Sequence, residues 1–153
     1  MPGQPHILIV ESRYYDEVAD ELIRGCVATL ESAGASFERR EVPGAFEIPA
    51  AIALAAAPGP GYDGPSYDGY VALGCVIRGE TTHYDYVCGE SARGLMDLTV
   101  NRGLAIGYGI VTVENREQAM ERAGVERKNK GRDAAEAALR MVAWRRAFGH
   151  QAD

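Results

Sequence analysis

The stretch YVALGCVI at residues 70–77 decides the fold, because it is the most continuous apolar run in this 153-residue chain. An uninterrupted apolar run of this length predicts a strand that is buried on both faces, as at the centre of a parallel sheet. Such a strand requires a layer of helices on each side of the sheet. The segments on either side of residues 70–77 therefore have to supply both strands and helices.

Strand and helix patterns alternate before this central segment. The apolar pattern of residues 6–10 predicts a short buried strand. A helix is predicted to follow and to end at Gly34, since glycine is common at the carboxyl end of a helix. The apolar residues that recur at helical spacing in this helix are Val18, Leu22, Ile23, Cys26, Val27 and Leu30. A second strand is predicted at residues 36–42. It leads through a Pro-Gly turn into a second helix at about residues 47–57.

The alternation continues towards the carboxyl end. Residues 58–67 contain clustered prolines and glycines, and this composition indicates a surface loop rather than a domain boundary. After the central strand we expect a helix at about residues 82–101 and a fourth strand at residues 104–113. Two closing helices are predicted at about residues 116–123 and 131–148.

This order of elements predicts an α/β fold. Strands followed by helices imply a four-stranded parallel sheet with right-handed crossovers, in a three-layer, flavodoxin-like α/β/α sandwich. A chain of 153 residues with 46% hydrophobic composition is long enough for one core, so we expect a single domain over residues 1–153.

Composition excludes several classes of protein. The net charge is -6, with sixteen Lys and Arg scattered among twenty-two acidic residues, so the chain lacks the basic surface that nucleic acid requires. No apolar segment approaches the roughly 20 residues that span a bilayer, so we expect no membrane association. The three cysteines are an odd number in apolar surroundings, and this favours reduced thiols and a cytoplasmic location.

Residues suited to chemistry follow each predicted strand. They are Ser12-Arg13-Tyr14, then residues 44–47, then residues 78–83, and finally Glu114-Asn115. The carboxyl ends of parallel strands meet at one edge of a sheet, where ligands of such folds bind. We therefore expect these four loops to form the functional site.

The third of these loops, RGETTH at residues 78–83, has the richest chemistry. Its glycine permits a tight exit from the strand, and the hydroxyls of Thr81 and Thr82 lie beside the free N–H groups of a starting helix. The pattern fits an anion pocket, and it fits an ordinary helix cap equally well. His83 is placed at the positive end of the helix dipole, which favours a neutral imidazole suited to proton transfer, although a purely structural histidine is also compatible.

A metal site and a cysteine nucleophile are both disfavoured. Cys75, Glu80, His83 and Cys88 match no common zinc spacing, so we predict no metal. Cys88 is the fifth residue after His83 and points to a different face of the predicted helix. The spacing therefore does not favour a Cys-His pair.

Two aromatic and two basic residues stay ambiguous by pattern alone. Tyr14 and Tyr108 lie near strand ends, where they suit either stacking on a flat heterocycle or plain packing. Arg122 and Lys130 flank a charged loop that is solvated by default.

Three longer motifs, in order along the chain, resemble those of the 6,7-dimethyl-8-ribityllumazine synthase family. They are VPGAFEIP at residues 42–49, LGCVIRGETTHYD at residues 73–85 and GIVTVEN at residues 109–115. Asn129-Lys130-Gly131 and Asp133 follow them, and the likeness runs from about residue 6 to residue 148.

The resemblance implies the penultimate step of riboflavin biosynthesis. In that step 5-amino-6-(D-ribitylamino)uracil condenses with 3,4-dihydroxy-2-butanone 4-phosphate to give the lumazine, phosphate and water. The family is a transferase family, and the resemblance implies no cofactor and no metal, because the substrates supply both the electrophile and the nucleophile.

The resemblance also implies roles for particular residues. His83 matches the family's proton donor, while Glu80 and Thr81 match positions that hold the phosphate of the butanone substrate. Arg122 matches the arginine that pairs with this phosphate, and Lys130 matches a second basic residue nearby.

For the uracil substrate, Tyr14 matches the aromatic residue that stacks on the pyrimidine ring. The residues that match the lining of the ribityl and pyrimidine pocket are Ala45, Phe46, Glu47, Cys75, Val76 and Ile77. Tyr108 matches an aromatic residue contributed by a neighbouring subunit. The family's sites lie between adjacent subunits of a ring of five, so Tyr108, Arg122 and Lys130 are expected to complete the next chain's site.

Some positions depart from the commonest family pattern. Cys75 replaces a small or hydroxylated residue, and Glu80 replaces a small residue beside the phosphate. Residues 124–129 lack the glycine-rich form of members that build sixty-subunit shells, which favours a pentamer or a decamer. Two alternatives to the enzyme are a flavin-binding sensor or storage protein on the same fold and a structural shell.

Overall fold

The protein's structure, a computed structural model, describes residues 3–150. Residues 1–2 and 151–153, the two ends of the predicted domain, lie outside this range. The elements run in the order β1 (His6–Ser12), α1 (Asp16–Ser32), β2 (Ser36–Val42), α2 (Ile48–Ala56), β3 (Gly69–Ile77), α3 (His83–Arg102), β4 (Ile106–Val113), α4 (Arg116–Ala123) and α5 (Lys130–Ala147). No helix within the described residues is long and apolar enough to cross a membrane.

The four strands form one parallel sheet in the order β2-β1-β3-β4. This confirms the predicted α/β fold with a four-stranded parallel sheet. Residues 69–75 of β3 are all buried, as their continuous apolar character predicted. In the sheet β2 lies on one side of β1, and β3 lies on the other side. Strand order therefore reverses between β1 and β3. Ligands of such sheets bind outside the carboxyl ends of the strands at this reversal point.

Helices cover both faces of the sheet. On one face α1, α4 and α5 pack over a cluster whose large members include Ile7, Ile9, Leu22, Leu30 and Leu73. On the other face α2 and α3 pack over Leu8, Val10, Ile48, Ile52, Leu95 and Ile110. The alternation of Ile7 and Ile9 with Leu8 and Val10 along β1 matches the period of two that points successive side chains to opposite faces.

The first strand is longer than predicted. It ends at Ser12 rather than at residue 10, because Glu11 and Ser12 pair with Glu41 and Val42 of β2. Both residues are polar and both are 3% exposed. A polar side chain usually indicates the end of a buried strand, so hydropathy placed the boundary too early.

Two other boundaries differ by a few residues. A 3-10 turn at Ala45–Glu47 precedes α2, which begins at Ile48. A proline lies in the first turn of α2. Its missing N–H costs nothing there, because N–H groups in the first turn of a helix have no partner within the helix. The fourth strand begins at Ile106 rather than at residue 104.

Candidate functional site

A cleft of about 700 Å³ lies at the carboxyl edge of β2, β1 and β3 and beside the start of α3. Its volume lies within the range of small-molecule sites. The lining residues are Ser12, Tyr14, Tyr15, Pro43, Gly44, Ala45, Phe46, Glu47, Cys75, Val76, Ile77, Gly79, Thr81, His83, Tyr84, Tyr86 and Val87. Three of the four loops that we expected to converge therefore do so.

The loop after β1 presents an open aromatic ring. Tyr14 is 74% exposed, and the ring of Tyr15 meets it edge-on with 5.0 Å between the ring centroids. Arg13 fixes the backbone beneath them through ion pairs with Glu11 at 2.9 Å and with Asp16 at 3.3 Å. The face of Tyr14 is thus available to a flat heterocycle.

The loop after β2 turns its side chains into the cleft. The backbone N–H of Glu47 donates to the carbonyl oxygen of Gly44 at 3.1 Å, which closes the turn. Within this turn Ala45 is buried, whereas Phe46 is 54% exposed. The turn therefore offers an apolar ring and a carboxylate next to each other.

The end of β3 supplies an apolar wall. Burial raises the pKa of the Cys75 thiol to about 11, so this thiol is protonated at neutral pH. Burial raises the pKa of Cys88 as well. Because the thiolate is the nucleophilic form of cysteine, these shifts weigh against a cysteine nucleophile.

The start of α3 brings Thr81 and His83 to the cleft. The Oγ1 of Thr81 accepts a hydrogen bond from the backbone N–H of His83 at 3.3 Å, while Thr82 occupies the N-cap position without a side-chain cap bond. Thr81 therefore caps the helix start in part. Its hydroxyl hydrogen is still free to donate to an anion, and the imidazole of His83 is exposed.

Arg78 ties neighbouring loops together outside the cleft. Its guanidinium donates to Glu114 at 2.6 Å, lies 3.5 Å from a carboxylate oxygen of Asp85, and stacks over the ring of Tyr84 with 4.3 Å to the ring centroid. The fourth loop, at Glu114-Asn115, thus supports the site through Arg78. Asn115 itself caps α4 by accepting from the backbone N–H of Gln118.

Four predicted site residues do not line the cleft of their own chain. They are Glu80, Tyr108, Arg122 and Lys130. Glu80 is an exposed residue between two lining residues, and Tyr108 is 46% exposed on the edge strand β4. Lys130 lies 3.4 Å from Asp133 at the start of α5. The guanidinium of Arg122 donates to the carbonyl oxygen of Gln118 at 3.2 Å and, within residues 3–150, has no carboxylate at salt-bridge distance.

Within residues 3–150, the cleft lacks a positively charged side chain that could pair with an anionic ligand. Among the described residues that line it, none is a lysine or an arginine. Nor does any group of three or more His, Cys, Asp and Glu side chains within residues 3–150 have an arrangement that can hold a metal ion.

Several lining residues were not among the predicted site residues. Tyr86 and Val87 stand three and four residues after His83, and this helical spacing was a signal that they share its face. Ser12 was placed in a converging loop without a role of its own. It is instead the last residue of β1.

Comparison with known proteins agrees with the sequence motifs. The model of the family described as 6,7-dimethyl-8-ribityllumazine synthase matches residues 4–146. A protein of that name from Bartonella tribocorum is 57% identical over 149 residues, which cover 97% of this chain and 95% of that protein. One from Agrobacterium fabrum is 55% identical over 147 residues, covering 96% and 99%. One from Methylorubrum extorquens is 58% identical over 141 residues, covering 92% and 81%.

Proposed function

Because the chain belongs to the 6,7-dimethyl-8-ribityllumazine synthase family, we propose that the cleft beside α3 is its active site and that His83 transfers the protons of the reaction. The activity is that of the family, a transferase of riboflavin biosynthesis. It condenses 5-amino-6-(D-ribitylamino)uracil with 3,4-dihydroxy-2-butanone 4-phosphate. The products are the lumazine, phosphate and water.

One observation supports this assignment above the others. Nine of the thirteen residues selected from the sequence surround a single cleft: Tyr14, Ala45, Phe46, Glu47, Cys75, Val76, Ile77, Thr81 and His83. They come from four separate elements of the chain. We assign the side near Tyr14 and the turn after β2 to the uracil substrate, since an open ring, an apolar wall and a carboxylate suit a flat heterocycle with a hydroxylated chain.

The start of α3 is assigned to the butanone phosphate. A helix N-terminus with a free hydroxyl hydrogen on Thr81 favours an anion. Glu80 contributes through its backbone rather than its carboxylate, because a negative side chain repels phosphate. His83, two residues beyond Thr81, is placed to move protons during imine formation, phosphate loss and ring closure.

The rest of the phosphate site is assigned to an adjacent subunit. Phosphate needs a cation, and the described lining residues include neither lysine nor arginine. Arg122 lies in α4, Tyr108 on the edge strand β4 and Lys130 at the start of α5, and none of the three lines the cleft of its own chain. A chain that carries two different half-sites associates head to tail, and such contacts form a closed ring when the rotation between neighbouring subunits closes. We propose a pentamer or a decamer with one site per interface.

This arrangement needs no cofactor or metal. The amine of the uracil and the carbonyl of the butanone phosphate react with each other, and holding them together supplies much of the rate. The three free cysteines suit the reducing conditions of the cytoplasm, where we place the reaction.

Turnover with both substrates tests the proposal. Purified protein should form the lumazine chromophore above the uncatalysed background. His83→Ala should lower kcat by about 10- to 100-fold. General acid-base catalysis often contributes more than this, but the variant still holds the two substrates next to each other, so part of the rate enhancement remains. His150→Ala is the matched control, since His150 lies past the end of α5 and does not line the cleft, and its rate should equal that of the wild type.

Two results would contradict the assignment. Absence of turnover in the wild-type protein would refute the proposed active site, and if titration then showed tight riboflavin binding, storage or sensing would be the better function. Equal rates for the wild type and His83→Ala would remove His83 from proton transfer.

A further inference from the structure

Ser12 has a buried hydroxyl without a hydrogen-bond partner. It is the last residue of β1, it is 3% exposed, and it lines the cleft. Within residues 3–150 it is the one buried side chain whose polar atom, Oγ, makes no hydrogen bond. Buried polar groups in native proteins are nearly always paired, so an unpaired one at a ligand site indicates a functional reason.

The position of Ser12 identifies the part of the cleft that it serves. A Cβ built on Gly74 would lie 3.5 Å from the Cβ of Ser12 and 3.8 Å from that of Ala45, so the three residues are close neighbours. Ala45 and the end of β3 form the walls that we assign to the uracil substrate. Ser12 therefore belongs to the uracil side of the cleft rather than to the phosphate side at Thr81.

An alanine at this position would suit the free protein better. It would fill nearly the same volume and would leave no hydroxyl unpaired, which generally stabilises a fold. The serine hydroxyl thus has a cost in the free state that a bound partner would offset. A serine hydroxyl can donate one hydrogen bond and accept others, and both the uracil ring and the ribityl chain offer suitable atoms.

We propose that Ser12 is a specificity-determining residue whose hydroxyl hydrogen-bonds the ribitylaminouracil substrate. The inference rests on the proposed function and adds a contact to that site. Because Oγ is covered in the free chain, the contact requires rotation about χ1 of Ser12, which has three staggered positions. With the butanone phosphate assigned to the start of α3, we expect no contact between that substrate and this hydroxyl.

Steady-state kinetics of Ser12→Ala test this proposal, with each substrate varied while the other is saturating. We expect the KM for the uracil substrate to rise about two- to tenfold, the loss that follows from one hydrogen bond. The KM for the butanone phosphate and kcat should stay within about twofold. The thermal midpoint should be equal to or higher than that of the wild type, which separates this effect from damage to the fold.

Two further variants make the test specific. Ser12→Thr keeps the hydroxyl and should keep the KM for the uracil substrate near the wild-type value. Ser91→Ala is the matched control, because Ser91 is equally buried at 1% exposure but its Oγ already donates to the carbonyl oxygen of Cys88, away from the cleft. Neither KM should change in Ser91→Ala.

The proposal is overturned if Ser12→Ala leaves both KM values unchanged, or if it raises both together with a fall in the thermal midpoint. These outcomes are distinct from failure of the proposed function. Wild-type turnover decides that question before any variant is compared.

Discussion

Glu11 is a carboxylate buried at the end of β1 between two arginines. Arg39 donates to its two oxygens at 2.8 and 3.0 Å, and Arg13 donates at 2.9 Å. Burial alone raises the pKa of Glu11, but the hydrogen bonds from Arg39 and Arg13 outweigh it, so the net pKa lies below the ordinary value of 4.5. Through Arg13 this carboxylate also supports the loop that presents Tyr14.

Glu11→Gln should destabilise the protein at neutral pH and much less in acid. A carboxyl whose folded pKa is lowered stabilises the fold above its ordinary pKa of 4.5, and this stabilisation is lost as pH falls through the folded pKa. We expect the free energy of unfolding at pH 7 to fall by about 1–3 kcal/mol, less than for a fully buried pair because the Arg39 side chain is 47% exposed. Urea unfolding at fixed protein concentration, repeated between pH 7 and pH 3, measures the difference.

Glu17→Gln provides the comparison for Glu11→Gln. Glu17 also pairs with an arginine, Arg116, at 2.6 Å, but both side chains are more than half exposed. Its loss should change stability by no more than about 0.5 kcal/mol at any pH. Equal losses of unfolding free energy in the two variants would show that the burial of Glu11 does not strengthen its ion pairs.

Among the elements, α5 lies unusually close to its neighbours because small residues face them. A Cβ on Gly131 would overlap the carbonyl oxygen of Leu22 in α1 and would lie 3.1 Å from the backbone nitrogen of Cys26. A Cβ on Gly107 of β4 would overlap the carbonyl oxygen of Ala134 in α5. Backbone thus packs on backbone at both contacts, and this holds the helix that begins at Lys130 in place.

Gly131→Ala should therefore destabilise the protein, although alanine is the better helix former. Neither backbone can yield without shifting its whole helix, so we expect the free energy of unfolding to fall by about 3 kcal/mol or more. Chemical denaturation gives this value. Gly89→Ala is the control, since Gly89 lies in α3 with nothing within 4 Å of an added Cβ, and it should gain about 0.5–1 kcal/mol. A stabilised Gly131→Ala would contradict the close contact.

The elements that hydropathy predicted best are those buried on both faces or with one clear apolar side. Residues 70–77 are the clearest case, and α4 was predicted with the observed bounds. The end of β1 was predicted too early, because Glu11 is buried through its arginine partners and one of these, Arg39, lies in β2. Hydropathy cannot show an ion pair formed between distant segments.

At the scale of the whole molecule, the candidate site divides into two groups of residues. Strand order and loop position alone predicted that residues after all four strands would meet, because parallel strands end at one edge, and residues after β1, β2 and β3 do line the cleft. Tyr108, Arg122 and Lys130 were selected only through the resemblance to a family. No periodicity within one chain indicates a residue that acts in the site of another chain.

Mixing two inactive variants tests whether the site is shared. His83→Ala removes the proposed proton donor of the cleft, and Arg122→Ala removes the proposed cation, so each variant alone should have little activity. If Arg122 acts on the neighbouring cleft, a mixed ring contains sites that combine an intact His83 from one chain with an intact Arg122 from the next. For random head-to-tail assembly of equal amounts, about one quarter of the sites are restored.

The measurement is the rate after the two variants are unfolded together and refolded, compared with each variant refolded alone. Sedimentation of the refolded mixture should give a species of five or ten times the 16.5 kDa of one chain, which establishes that rings have formed. A control mixture of His83→Ala with Thr81→Ala should regain nothing, because Thr81 and His83 line the same cleft of one chain. If the first mixture also regains nothing although rings form, Arg122 acts within its own chain and the shared site is wrong. Recovery near one quarter of the wild-type rate would instead require that each cleft is completed by its neighbour, since no single chain in that mixture has both residues.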